Sequence, residues 1–322
     1  MRVFCCSLAV ILCTAGSAWI LWNPGPESTA HFDRCKNGIW AGHQWYTGRK
    51  VSGGDTVTDA ERDRFIAELR DHGITTVFVH AGPIRPDGSI ADMPGIFFND
   101  LQKFAPDILF LPWIGGDLRK YALAKPQWRS SLIATIWRMK QCGVRGVHLD
   151  IEPVKSFEPG YLELLRELRL TSEDRFYISH ATRRIGLTDL PLPPVKKFFW
   201  TGAFYRECMR HTDQTVLMGY DTCIRSRKLY TASIRMQTRR LLGYTGKFPG
   251  HSLMIGIPSY DDNPGLHDPD AENIRSAALG VRAALEGLSP QHRVLDGVAV
   301  YAHWTTDPLE WHWFDVYWRG QM

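Results

Sequence analysis

Residues 143–153 read Gly-Val-Arg-Gly-Val-His-Leu-Asp-Ile-Glu-Pro, and their pattern is the clearest indication of the fold. Apolar and polar residues alternate along it with a period of two, which predicts a β-strand. Asp150 and Glu152 therefore project from the same face, roughly 7 Å apart along the strand. Pro153 ends the strand directly behind them. Because two carboxyl groups flanked by apolar residues are costly to hold, we expect them to have a function at this strand end.

The rest of the chain repeats the order of a strand followed by a helix. Near-continuous apolar strands are typical of parallel sheets that are covered on both faces. Eight strand–helix units in order therefore predict a single α/β barrel of the (β/α)₈ TIM type, whose active site would lie at the carboxyl ends of its strands. The seven other predicted strands cover residues 38–46, 74–80, 108–114, 176–180, 215–221, 253–259 and 298–303. The predicted helices cover residues 58–72, 97–104, 128–142, 160–170, 195–210, 227–242 and 269–288, and an aromatic-rich helix ends the chain.

Length and composition agree with one large globular domain. The chain has 322 residues, of which 44% are hydrophobic, and a formal net charge of +4. One barrel of this type commonly needs about 250 residues. No block of Lys and Arg forms a basic surface of the kind that binds nucleic acid, so we predict no nucleic-acid partner. We also predict a monomeric protein.

The amino-terminal segment is typical of an export signal. Arg2 precedes a long apolar run, and the small residues 15–18 would suit cleavage after Ala18. The apolar run extends to Trp22, however, which is long enough for an uncleaved membrane anchor. We therefore predict a signal peptide or anchor over 1–22, a linker over 23–34 and the barrel over 35–322, in a protein exported to the periplasm, the exterior or the outer side of a membrane. The sequence leaves open how the remaining cysteines pair: Cys35, Cys142, Cys208 and Cys223.

Polar and aromatic residues cluster at the predicted carboxyl ends of the strands. Aromatic rings stack on sugar faces, and carboxyl groups hydrogen-bond sugar hydroxyls and donate protons, so this set favours a saccharide ligand. We predict a binding surface of seven residues around the two carboxyls: Trp45, Trp113, His148, Asp221, Tyr260, Tyr301 and Trp304. The same ends also carry Tyr46, His80, His180, Asp261 and His303.

A metal site is an alternative use of His148, Asp150 and Glu152. No second cluster with standard ligand spacing accompanies them. We therefore predict neither a metal nor a cofactor, and each lone histidine is more simply explained as an interior residue with satisfied hydrogen bonds.

At this point the chain resembles glycoside hydrolase family 18, the chitinases and endo-β-N-acetylglucosaminidases. The resemblance runs from about residue 38 to residue 310 and rests on five motifs in order. They are 113–116 (Trp-Ile-Gly-Gly), 146–152 (Gly-Val-His-Leu-Asp-Ile-Glu), 218–221 (Met-Gly-Tyr-Asp), 256–260 (Gly-Ile-Pro-Ser-Tyr) and Trp304.

The resemblance implies retaining hydrolysis of a glycan that contains N-acetylglucosamine, with the substrate's own acetamido group as nucleophile. Glu152 would protonate the glycosidic oxygen and later activate water. Asp150 would orient the acetamido N–H, and Tyr220 would donate a hydrogen bond to its carbonyl. Trp304 would stack beneath the sugar ring.

The chain also departs from the family pattern. Arg145 and His148 stand where the signature has acids, and Trp113 stands in place of a serine. We expect His148 to hydrogen-bond Asp150 and, if charged, to hold it ionised. The short connection before the last strand predicts that the extra α/β lobe of larger members is absent. Two alternatives stay open: a catalytically silent glycan-binding or cell-wall-binding barrel, and a hydrolase of another polysaccharide that uses Glu152 with Asp221 or Asp261.

Overall fold

Eight parallel strands form a closed barrel in chain order, as the alternating pattern predicts. The computed structural model describes residues 31–50, 54–117, 123–172, 176–186, 198–262, 265–289 and 294–321. The strands are β1 (Asn37–Ala41), β2 (Ile74–Pro83), β3 (Leu109–Asp117), β4 (Gly146–Glu152), β5 (Tyr177–Thr182), β6 (Gln214–Met218), β7 (Ser252–Pro258) and β8 (Gly297–Tyr301). The last strand pairs with the first and closes the barrel.

Helices surround the barrel, one or more after each strand. They are α1 (Gln44–Thr47), α2 (Asp59–Asp71), α3 (Ile96–Phe104), α4 (Pro126–Gln141), α5 (Pro159–Thr171), α6 (Gly202–Met209), α7 (Arg227–Thr245), α8 (Ile274–Leu285) and α9 (Pro308–Trp313), followed by a π-helix, Phe314–Arg319. A capping box starts α2, where Thr58 and Glu61 exchange hydrogen bonds.

Three predicted elements begin or end five or more residues from their predicted bounds, and one of them is the helix predicted over 269–288, which begins at Ile274. The first strand stops at Ala41, because the chain turns at Gly42 into α1. The helix predicted over 195–210 begins only at Gly202, where Thr201 caps it by accepting a hydrogen bond from the N–H of Phe204.

The barrel interior is filled by large side chains that meet on its axis, including Trp40, Phe78 and Met254. The strands pack closely enough that some positions admit only glycine. At Gly146, the first residue of β4, a Cβ atom would lie 2.4 Å from the carbonyl oxygen of Tyr177. This close approach lets β4 pair with β5, where Gly146 lies opposite Tyr177.

The connection between β7 and β8 contains the single helix α8 in its described part, so the predicted absence of an extra lobe is confirmed. Residues 31–34, which the sequence assigns to a linker, pack against the barrel, with Phe32 buried. The predicted signal or anchor lies outside the described residues. None of the described helices has the length and apolar character to span a bilayer. Within the described chain, Cys35, Cys142, Cys208 and Cys223 are free thiols.

Candidate active site

Asp150 and Glu152 emerge together at the carboxyl end of β4, as the alternation predicts. The indole Nε1 of Trp113, on the neighbouring strand β3, donates a hydrogen bond of 2.8 Å to Asp150 Oδ2. Asp150 Oδ1 is hidden from solvent and has no hydrogen-bond partner among the described residues. A buried carboxylate oxygen without a donor is rare in proteins and points to an unmet binding role.

The environment raises the pKa of both carboxyls. Burial raises the pKa of Asp150, and the hydrogen bond from Trp113 opposes that shift. The protein walls around the barrel mouth desolvate Glu152 and raise its pKa, although the residue keeps exposed surface. The negative charges of Asp150 and Asp221 raise the Glu152 pKa further, and Arg183 lowers it. Glu152 is thus suited to hold a proton well above the ordinary range of a glutamic acid.

Tyr220 and Tyr301 complete the centre of the mouth. Their rings stack with centroids 4.9 Å apart, over Trp40 on the barrel axis. Burial and the neighbouring Tyr301 raise the pKa of the Tyr220 phenol, and the charges of Asp150 and Glu152 raise it further. The three residues predicted to be catalytic therefore face one another closely enough to interact electrostatically.

The position of the central aromatic ring differs from the sequence-based assignment. Tyr301, rather than Trp304, sits at the centre, and burial together with the nearby carboxyl charges raises its pKa to about 12. Trp304 contacts Tyr301 edge-on at 5.8 Å and remains 50% exposed at the rim. Tyr301 and Trp304, both predicted to bind the substrate, thus lie at different depths in the mouth.

Asp221 and Tyr260 form a linked pair on the β6–β7 side of the mouth. The Tyr260 hydroxyl donates a 2.6 Å hydrogen bond to Asp221 Oδ1. Asp221 adopts a left-handed backbone conformation, with φ of 52°, which is strained for a residue with a side chain. Such strain persists only where surrounding contacts enforce it.

His148 does not make the predicted hydrogen bond to Asp150. Its Nδ1 lies 2.7 Å from Ser179 Oγ on β5, and that hydroxyl donates in turn to Gln214 Oε1. The imidazole is fully buried and stacks on Phe78 with centroids 4.0 Å apart. Burial lowers the pKa of His148 well below its ordinary value, so it is neutral rather than a charged partner of Asp150.

Trp45 is also placed away from the carboxyls. It belongs to α1, is 5% exposed, and stacks on Phe65 of α2 with centroids 3.9 Å apart. It lines a separate cavity of about 540 Å³ between α1 and α2, which contains neither Asp150 nor Glu152.

The remaining strand-end candidates have structural neighbours. His80 packs edge-on against Trp113, and His180 is buried between Tyr161 and Thr215. Within the described chain, no group of three His, Cys, Asp or Glu side chains is arranged to hold a metal ion.

Glu272 is a residue of the site region that the sequence did not reveal. It is fully buried just before α8, where its Oε1 accepts from the N–H of Thr222 at 3.0 Å and of Ile224 at 3.3 Å. His267 lies 3.5 Å from its other oxygen and donates to the carbonyl of Tyr260 at 2.9 Å. Glu272 thereby joins the loops that carry Asp221 and Tyr260.

Replacing Glu272 with Gln should raise KM for the expected glycan substrate about tenfold, the cost of losing one hydrogen bond to a charged group, with a smaller change in kcat. The amide is uncharged and has one acceptor oxygen, so it cannot accept from the Thr222 N–H at both positions as the carboxylate does, which loosens the loop that carries Asp221. Steady-state kinetics on the variant, on Tyr260→Phe and on the double variant test this result. Fully additive effects would show that Glu272 does not act through Tyr260. Glu286→Gln, at the other end of α8, is the matched control.

Solved structures provide the comparison with known proteins. The chain matches the spore cortex-lytic enzyme SleL of Bacillus cereus with a TM-score of 0.56 and 12% identity, over 87% of this chain and 73% of that one. It matches a chitinase of Rhizomucor miehei with a TM-score of 0.57 and 11% identity, over 88% and 99%. A plant class V chitinase mutant of Cycas revoluta, solved with (GlcNAc)3, gives a TM-score of 0.57 and 15% identity, again over 88% and 99%.

This chain has the barrel fold of these chitinases. The match confirms the fold that the five sequence motifs imply and covers nearly the whole length of the two chitinase chains. Neither a family model nor a curated protein sequence matches the chain.

Proposed function

We propose that this protein is a glycoside hydrolase that cleaves β-linked glycans containing N-acetylhexosamine, with retention of configuration and with the substrate's acetamido group as nucleophile. One observation carries the proposal. Glu152, with its raised pKa, stands in one mouth with Tyr220 and with Asp150, whose Oδ1 has no hydrogen-bond partner among the described residues. Glu152 can donate a proton, Tyr220 can donate a hydrogen bond from its hydroxyl, and Asp150 can accept one from an N–H group.

In the first step, protonated Glu152 gives its proton to the glycosidic oxygen as the bond from that oxygen to C1 breaks. The acetamido carbonyl oxygen of the same sugar attacks C1 and forms a cyclic oxazolinium ion. Asp150 accepts the acetamido N–H and stabilises the positive charge, while Tyr220 donates to the carbonyl oxygen. Water then attacks C1 and gives a proton to Glu152, which restores the acetamido group and the acid.

The rings fit a sugar at this position. Tyr301 lies next to both carboxyls and would form the floor beneath the reacting ring, and Trp304 would contact the adjacent sugar at the rim. Trp113 holds Asp150 Oδ2 through its indole N–H, which leaves Oδ1 to bind the substrate. The cortex-lytic and chitin-degrading proteins that share this fold act on glycans, which supports a polysaccharide substrate. An exported location and a monomeric state form part of the proposal.

A thiazoline mimic of the cyclic intermediate tests the mechanism. We expect competitive inhibition of hydrolysis of N-acetylglucosamine oligomers and no hydrolysis of the deacetylated oligomers, since these lack the nucleophile. NMR of the fresh product should show the β-anomer. Cleavage of deacetylated chains, with no inhibition by the thiazoline, would favour a two-carboxylate hydrolase instead. Binding without any cleavage would identify a silent glycan-binding barrel.

A further inference from the structure

We propose that Arg183 binds a carboxylate on the sugar next to the scissile bond, so that the substrate is an acidic glycan. This contact depends on the proposed function and adds to it the chemical class of the polymer. The position of Arg183, the rigidity of its backbone and the charges around it all support the contact.

Strand register places Arg183 beside Glu152. In the parallel pair of β4 and β5, His148 lies opposite Ser179, and their side chains form a 2.7 Å hydrogen bond inside the barrel. Four residues further along each chain are Glu152 and Arg183, the latter directly after the end of β5. Because side chains at even spacings along a strand share a face, both project into the barrel mouth at the same height. The positive charge of Arg183 lowers the pKa of Glu152, which agrees with this placement.

The segment that carries Arg183 is held by buried side chains of the surrounding helices. The Tyr205 hydroxyl, on α6, donates to the carbonyl of Arg183 and lies 3.0 Å from Thr182 Oγ1. Gln237, on α7, binds the N–H and the carbonyl of Ile185 at 2.7 Å and 3.0 Å. The side chain of Arg183 therefore extends from a fixed backbone, which reduces the entropy lost when it binds a ligand.

Arg184, the next residue, is directed elsewhere. Its guanidinium donates to the carbonyl of Asp221 at 3.4 Å and lies over the Phe199 ring, 5.6 Å from the centroid. These contacts give Arg184 a structural role in holding the loop after β6. Of the two adjacent arginines, Arg183 is thus the one that faces the bond which Glu152 would protonate.

Glu152 does not balance the charge of Arg183 in the active form. The proposed reaction needs protonated Glu152, and a protonated carboxyl carries no charge. Arg183 opposes this protonation because it lowers the Glu152 pKa, whereas Asp150 and Asp221 raise that pKa. A cation beside the general acid therefore works against catalysis unless an anion binds to it. A carboxylate on the substrate would offset this effect.

A carboxylate matches Arg183 in charge and in geometry. A guanidinium has its N–H donors in a planar fork and can hold a carboxylate through two parallel hydrogen bonds. Because Arg183 is partly buried, salt would screen such a pair only weakly. Arg183 lies at the height of Glu152, two residues beyond Asp150, which would hold the acetamido group of the reacting sugar. Its ligand is thus level with the glycosidic oxygen and belongs to the sugar next to that bond.

Binding of matched oligosaccharides to the Glu152→Gln protein, measured by titration calorimetry, tests the contact. The probes are tetramers in which N-acetylglucosamine alternates with a sugar that carries a carboxyl at C6, glucuronic acid, or on a lactyl ether, N-acetylmuramic acid. Each is compared with the same tetramer after reduction of its carboxyls to alcohols. We expect an acidic tetramer to bind about tenfold more tightly than its reduced form.

Two further substitutions in the Glu152→Gln protein assign this preference to Arg183. Arg183→Met should abolish the preference and leave the affinity for the reduced tetramers unchanged. Arg183→Lys keeps the charge but not the planar fork, so it should retain part of the preference. Arg166→Met, at an exposed arginine of α5, is the matched control and should retain all of it.

The pH profile on a neutral N-acetylglucosamine oligomer gives a second readout, in a protein with Glu152 intact. Because Arg183 lowers the pKa of Glu152, Arg183→Met should move the alkaline limb of log kcat/KM to higher pH. Arg183→Lys should leave the limb near its wild-type position. A limb that stays in place in Arg183→Met would overturn the placement of Arg183 beside Glu152, and the contact with it.

The binding outcomes separate the contact from the catalytic proposal. Equal affinity for acidic and reduced tetramers, or an equal loss for both in Arg183→Met, would overturn the contact even if the wild-type protein hydrolyses neutral oligomers. A preference that Arg183→Met abolishes, in a protein that cleaves none of the oligomers, would support the contact and reject the hydrolase. A preference in one acidic series alone would support the contact and identify the sugar that carries the carboxylate. Failure of every tetramer to bind would overturn both proposals.

Discussion

Replacing Glu152 with Gln should reduce kcat on N-acetylglucosamine oligomers at least about a hundredfold, the usual scale of general acid catalysis. The amide keeps the shape of the side chain but has no acidic proton to give to the leaving oxygen. Because the reaction needs the same group again to activate water, both halves of the reaction lose their catalyst. KM should change little, since the side chain still fits beneath the same glycosidic bond.

A carboxyl elsewhere on the barrel controls for the change of charge. Glu163 lies on the surface of α5, 3.0 Å from Arg166, where such pairs contribute little. Glu163→Gln should retain full activity, and both variants should unfold at the wild-type temperature. A Glu152→Gln protein that turns over at the normal rate would remove this residue from the reaction.

Replacing Asp150 with Asn should change both the rate and its pH dependence. The loss of the charge that stabilises the cyclic cation should lower kcat by about a hundredfold, as for removal of one electrostatic contact to a transition state. The Asn side-chain carbonyl keeps an acceptor for the Trp113 indole, which limits the structural change.

The pH profile gives an independent readout of the Asp150 charge. The active form contains protonated Glu152, so activity falls as pH rises through the Glu152 pKa. The negative charge of Asp150 is one cause of the raised pKa of Glu152, so removing it lowers that pKa. The alkaline limb of log kcat/KM should therefore move to lower pH in Asp150→Asn and stay in place in the surface variant Asp100→Asn. An alkaline limb that does not move would show that Asp150 does not set the proton affinity of Glu152.

The fold and the position of the two carboxyls follow from local patterns in the sequence. The alternation in residues 143–153 determines which face of β4 carries Asp150 and Glu152, and a parallel barrel determines at which end they emerge. Trp113 is found by the same strand-end rule, although only the structure shows its indole N–H bonded to Asp150.

The sequence does not show which of several possible neighbours a side chain contacts. His148 has Ser179 directly opposite it in register on β5, and this partner takes its Nδ1. In the sequence, the apolar pattern of the first strand continues toward Trp45. In the structure the chain turns at Gly42, which places Trp45 on α1 against Phe65. Glu272 is separated from Thr222 by 50 residues, and no local periodicity links two such positions.

The neutral imidazole of His148 also affects the electrostatic field inside the barrel mouth. Where the resemblance implies a third acid on this strand, His148 contributes no negative charge, and the raised pKa of Glu152 keeps that carboxyl protonated. The electrostatic potential that an incoming ligand encounters at the mouth is therefore weak. Binding of the glycan should thus be nearly independent of ionic strength. A glycan chain that carries its own carboxylates should encounter little repulsion at the barrel entrance.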